Sequence, residues 1–188
     1  MHMNNTETTA QKSFLREALG WVLYILLIMG ITYLIITFVG QRTKVDGHSM
    51  EPTLSDGDNL IVDKLFYRFR DPQRYDIIVF PYKHKENTYY IKRIIGLPGE
   101  TVQVKNGEVC INGEVLGETY GAEPMANSGI AENPITLGEN EYFVLGDNRN
   151  HSSDSRDPSV GILTRDDLIG RAWVRIFPLN KIGVIRHE

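Results

Sequence analysis

The chain has one cysteine, Cys110, in 188 residues. That excludes an internal disulfide and a cysteine-rich zinc site, and leaves Cys110 as a small buried apolar residue. Positive charge is not in excess either. The formal net charge is −4, which gives no basic footprint for nucleic acid. The most telling absence is local: "ALGWVLYILLIMGITYLIITFVG", Ala18 to Gly40, holds no charged residue.

At ~1.5 Å rise per residue such a stretch is long enough to cross the ~30 Å apolar core of a bilayer as a helix. Trp21 and Tyr24 lie near one end, where amphipathic rings favour the interface. A cleavable export signal has a shorter apolar region, ~7–15 residues, and a small-residue exit. This stretch exits into "QRTK" and reads as an uncleaved anchor, residues 18–40. Lys12 and Arg16 precede it, and Arg42 and Lys44 follow, so flanking charge is balanced and sets no orientation. The polar opening "MHMNNTETTAQ" has no apolar period, and residues 1–17 are predicted to be a disordered tail.

The rest reads as β structure. "DGDNLIVDKL", "YDIIVFPY", "TYYIKRIIGLPGE", "NEYFVLGD" and "RAWVRIFPL" are apolar runs bounded by turn residues. In "TVQVKNGEVCINGEV", Asn106-Gly107 and Asn112-Gly113 separate alternating runs, which predicts a small meander. Glu118 to Pro134 reads as a loop or flap, and "LTRDDLIG" as one helical turn capped by Thr164. No βαβ alternation is present, so a mainly antiparallel β fold is expected.

Three places can carry chemistry. Ser49, in "VDGHSMEPTL", follows Gly47, and its hydroxyl needs a base to become a nucleophile. His48 is adjacent, but in an extended chain it points to the opposite face. His151 lies near Asp147 and Asp154, and spacing leaves a Ser-His-Asp arrangement open. The third possibility is Lys92 in "YYIKRIIG". A buried lysine can lose its proton, which the guanidinium of Arg93 cannot; a lysine snorkelling to the strand edge is the alternative. The loop "GDNRNHSSDSR" adds Asp147, Ser152, Asp154 and Arg156. It is not an EF-hand, because Arg149 replaces an oxygen ligand and the central glycine is missing. Asp154 and Arg156 face the same way if extended and can pair, and Ser152 could orient a neutral amine.

"GHSMEPTL", "GDNLIVDK", "YYIKRIIGLPGE" and "GDNRNHSSDSR", in that order behind an anchor, resemble the type I signal peptidases of bacteria, in the short single-anchor form common in Gram-positive species. The resemblance implies a membrane-bound serine endopeptidase with Ser49 as nucleophile and Lys92 as general base. It implies that Ser152 orients the lysine and that Asp154, Arg156 and Asp147 support the site. Met50, Leu54, Tyr90 and Ile91 would line the substrate pockets. It implies a β core from residues 44–100 and 137–188, with a small inserted β part, residues 101–136. Substrates would be exported preproteins with Ala-X-Ala-like sites. No metal or organic cofactor is needed. The N-terminus would be cytoplasmic and the catalytic part on the other side of a single-pass anchor, near lipid. Phe66 and Phe69, among basic residues in "KLFYRFRDP", suit that surface. A self-cleaving Ser-Lys protease and a non-catalytic tethered β module are the other readings.

Two departures from the family pattern stand out. Gly47 occupies a position where Gram-negative members often have a serine that helps bind the oxyanion. "DPSVG" lengthens the stretch after Arg156.

Overall fold

The computed structural model describes residues 4–34, 40–121 and 123–187. It divides into two units, Met1–Val39 and Gly40–Glu188. The first unit is the helix α1, Asn4–Leu34, whose segment Arg16–Leu34 is long and apolar enough to cross a membrane. The tail expected to be disordered is therefore helical from Asn4 onward. An apolar helix supplies the costly nucleus, and Glu7, Ala10, Gln11 and Lys12 are good helix formers onto which it propagates. Residues 35–39 lie outside the described residues, and Gly40 belongs to a strand instead of the anchor.

The second unit is built on an eight-stranded antiparallel sheet. Its strands are β1 (Gly40–Lys44), β2 (Asn59–Asp63), β3 (Ile77–Pro81), β4 (Tyr89–Gly96), β9 (Glu141–Leu145), β10 (Leu163–Thr164), β11 (Gly170–Phe177) and β12 (Gly183–Val184). The order is β1-β2-β11-β3-β4-β9-β10, with β12 paired to β11. A four-stranded sheet holds β5 (Thr101–Lys105), β6 (Glu108–Ile111), β7 (Glu114–Val115) and β8 (Ile135–Thr136), in the order β7-β6-β5-β8. Both Asn-Gly pairs form its hairpin turns. Asn106, Gly107, Asn112 and Gly113 all have positive φ, as tight hairpin turns of this kind require.

The two sheets share a core. Ile95 of β4, Val102 and Val104 of β5, and Phe143 and Leu145 of β9 pack in one cluster with Leu137. A second cluster joins Met50 and Leu54 to Leu60, Val62, Ile77 and Ile91. Ile78, Phe80, Ile94 and Val144 anchor a third. Strand β4 thus has apolar packing on both faces, and its last six residues are all buried.

The stretch "KLFYRFRDP" is helical at its centre. Phe66–Phe69 form the short helix α2, opened by Asp63, whose carboxylate accepts the Leu65 and Phe66 N–H groups at 2.8 and 3.0 Å. Thr164 and Asp167 form the expected reciprocal cap on a single helical turn. The stretch read as a flap is fastened at several points. Glu118 pairs with Arg149, and the Asn127 carbonyl accepts from Arg156 Nη1 at 3.1 Å.

Candidate active site

Ser49 lies in the connection between β1 and β2, which is a turn. The Glu51 N–H donates to His48 O at 3.2 Å, and the Leu54 N–H to Met50 O at 2.9 Å. Gly47 adopts φ +98°, a conformation that L side chains rarely take. His48 is directed by a different cause from strand alternation: its Nδ1 is 2.9 Å from Glu51 Oε1, and this pair raises its pKa.

Lys92 comes from β4. It is 4% exposed, and its Nζ is 2.8 Å from Ser49 Oγ. The same Nζ donates to Ile91 O at 2.9 Å. Burial lowers the Lys92 pKa to about 8, against the pull of Asp154 and Asp147 in the other direction. A substantial neutral fraction at mildly alkaline pH follows, and a neutral amine can accept a proton. The snorkelling alternative is excluded by the burial.

Arg93, next along the strand, is fully buried and points to a different network. Its Nε and Nη2 donate to Asp147 Oδ1 and Oδ2 at 2.8 and 2.7 Å. Asp147 Oδ2 also accepts from Thr53 Oγ1 at 2.6 Å. The loop after β9 is thereby stitched to the Ser49 turn. The Asn148 N–H donates to Ser49 O at 3.0 Å, and its side-chain amide to His48 O at 3.2 Å. Sequence reasoning did not assign Arg93 a place in the site. The available signal was two adjacent cations in a strand buried on both faces, since each then needs its own partner or neutralisation.

Asp154 is fully buried and pairs with Arg156, with Nε–Oδ1 and Nη2–Oδ2 both 2.9 Å. Asp154 Oδ2 also accepts the Gly146 N–H at 3.1 Å. "DPSVG" leaves this pair intact. It closes into a compact turn, with the Val160 and Gly161 N–H groups both donating to Asp157 O. Ser152 Oγ is buried and makes no hydrogen bond among the described residues. The expected Ser152–Lys92 hydrogen bond is therefore absent. Gly146 separates Ser152 from the Ser49 turn so closely that a Cβ there would fall 2.2 Å from Ser152 Oγ and 2.5 Å from Ser49 O.

A cleft of about 280 Å³ opens over Ser49 and Lys92, lined among others by Met50, Tyr90, Ile91 and His151. Leu54 does not line it; it is fully buried in the core behind Met50. His151 is exposed at the cleft and has no side-chain hydrogen bond or ion pair among the described residues, so no carboxylate orients it as a triad requires. No group of three or more His, Cys, Asp or Glu suited to a metal occurs among the described residues.

A buried amine against a serine hydroxyl, at the floor of a cleft on an antiparallel β scaffold, is an arrangement suited to acyl transfer. Residues 18–177 match the family "Signal peptidase, peptidase S26", and the chain belongs to that family. It is 40% identical over 187 residues to a "Probable signal peptidase I-2" of Synechocystis sp., covering 97% of this chain and 82% of that one. It is 37% identical over 186 residues to a "Signal peptidase I" of Bacillus amyloliquefaciens, covering 94% and 95%. A crystal structure of a signal peptidase I from Enterococcus faecalis V583 is similar at 35% identity and TM-score 0.46, over 54% of this chain and 97% of that one. The protein is a serine endopeptidase of the signal peptidase I type, acting on exported preproteins that carry signal peptides. That removes the non-catalytic tethered module as a reading.

Proposed function

We propose that this enzyme cleaves signal peptides with a Ser49–Lys92 dyad. The observation that carries the reading is the 2.8 Å contact between Ser49 Oγ and a buried Lys92 Nζ whose pKa is lowered to about 8. In the neutral state Nζ accepts the Ser49 proton as Oγ attacks the scissile carbonyl carbon. The C–N bond breaks, Lys92 returns the proton to the leaving amine, and an acyl ester remains on Ser49. Water, deprotonated by Lys92, then attacks the ester carbon; the C–Oγ bond breaks, Lys92 returns the proton to Ser49 Oγ, and the signal-peptide carboxylate leaves. The oxyanion is left to backbone N–H groups, that of Ser49 included, because Gly47 offers no hydroxyl.

Asp147, Asp154 and Arg156 hold the loop that faces this dyad, and Ser152 lies in that loop with its hydroxyl unpaired. Met50, Tyr90 and Ile91 form the walls that would admit small residues, as in Ala-X-Ala, and exclude larger ones. Segment Arg16–Leu34 would act as a single-pass anchor with the N-terminus cytoplasmic and the catalytic unit outside. Phe69, 85% exposed, would meet lipid.

Co-expression with a secreted precursor ending its signal in Ala-X-Ala tests the reading. The mature form should accumulate with the wild type and not with Ser49→Ala or Lys92→Ala. Mature product from a folded Lys92→Ala variant would sink the dyad.

A further inference from the structure

Beyond β12 the chain returns into the core. Ile185 packs with Met50, Leu54 and Ile91, and its N–H donates to Trp173 O at 2.8 Å. His187 is buried, and its Nδ1 accepts the Ile77 N–H at 2.9 Å. Ile77 stands opposite Arg93 in the β3–β4 register. The carbonyl of His187 accepts two hydrogen bonds, from Arg93 Nη1 at 3.2 Å and from the Tyr120 hydroxyl at 3.1 Å. The Tyr120 ring covers the Arg93 guanidinium, 3.7 Å from its centroid. Arg93 in turn grips both oxygens of Asp147 in the loop bound to the Ser49 turn.

This arrangement needs a neutral imidazole, since a protonated ring has no acceptor for Ile77. Burial, with Arg171 and Arg93 nearby, lowers the His187 pKa to about 4, while Asp76 opposes the shift from 4.0 Å. The family match ends at residue 177, so the segment lies outside it. Ordering such a segment costs about 1–2 kcal/mol per residue of backbone freedom, which the buried contacts must offset.

We propose that His187 is a positioning residue for signal-peptide cleavage. By accepting the Ile77 N–H it seats its own carbonyl against Arg93, and Arg93 then holds the Asp147 carboxylate in place beside the Ser49 turn. His187 touches no substrate and acts only through Arg93. The inference rests on the Ser49–Lys92 reading.

The test measures kcat, KM, melting temperature and pH profile on a precursor, with the full chain in detergent. His187→Leu removes the acceptor, and His187→Asn keeps one where Nδ1 stood. His187→Leu should lower kcat about tenfold with KM within about twofold, and His187→Asn should recover most of the loss. A less firmly held Arg93 leaves the Asp147 charge freer to stabilise the Lys92 ammonium. The acidic limb of kcat should therefore move to higher pH in His187→Leu and return in His187→Asn. A folded His187→Leu with wild-type kcat and pH profile overturns the inference alone, whereas turnover in Lys92→Ala overturns the dyad. If His187→Leu does not fold, Tyr120→Phe decides. It removes only the hydroxyl that holds the same carbonyl, and should lower kcat about threefold at nearly unchanged melting temperature. Unchanged kcat there makes the segment purely structural and the inference wrong.

Discussion

Arg93 meets Asp147 through two parallel hydrogen bonds of 2.8 and 2.7 Å, with both side chains almost completely shielded from water. Lys92, one residue before Arg93, meets Ser49 instead. One strand thus delivers a permanent cation to the scaffold and a titratable amine to the cleft.

The Arg93–Asp147 pair sets the first expectation. Arg93→Ala leaves Asp147 buried without its counterion, and should cost about 3–5 kcal/mol in chemical denaturation. Arg93→Lys should recover only part, because an ammonium cannot make the two-point contact. A fully stable Arg93→Lys would show that charge alone suffices.

The second expectation concerns pH. As the proposed base Lys92 must be neutral, and its pKa is lowered to about 8, so kcat should rise between pH 7 and pH 9. Lys92→Arg should be inactive at every pH, since it cannot release a proton near neutrality. A pH-rate profile flat across that range would remove Lys92 as the titrating base.

The histidines give a third. His48→Ala and His151→Ala should each keep turnover within a few-fold of wild type, because neither is tied to Ser49 as Lys92 is. Loss of about a thousandfold or more in a folded His151→Ala would point to a triad instead.

The fourth concerns Gly47. Placing a serine there does not supply an oxyanion donor at no cost, because φ is +98°. A Cβ meets nothing within 4 Å, so the penalty is backbone strain alone, about 1–2 kcal/mol. Gly47→Ser should therefore be less stable than wild type, and kcat should not increase. A faster and equally stable Gly47→Ser would overturn this reading of the turn.

His187 supplies the last. Its pKa falls to about 4 in the folded chain from the usual 6.5, so between those values the unfolded chain binds more protons. Stability should be lost as pH falls from about 6.5 to about 4, and His187→Asn should flatten that part of the denaturation profile. An unchanged slope would mean His187 does not carry the proton linkage.

The strands and their turns were legible because their signals are local. Apolar runs between Gly, Pro and Asn punctuate the chain, and Asn106-Gly107 and Asn112-Gly113 have the positive φ angles their turns demand. Strand β1 was missed because "GQRTK" is polar; it is held by pairing with β2, which no period in its own residues reveals. The family resemblance implies a pocket wall at Leu54, but a match by position carries no side-chain direction, and the turn sends Leu54 into the core. Arg93 was passed over for a similar reason. Its partner lies in a loop many residues away, and only the β4–β9 register brings the two together.

Strand β11 lies between β2 and β3. Ser49 belongs to the β1–β2 side of the sheet, and Lys92 to the β3–β4 side. Residues 170–177 join those two sides within the sheet, and the Arg93–Asp147–Thr53 hydrogen bonds join them outside it. A chain that ends before residue 170 lacks the strand that spans the two sides within the sheet. Placing that strand completes the sheet that carries Ser49 on one side and Lys92 on the other.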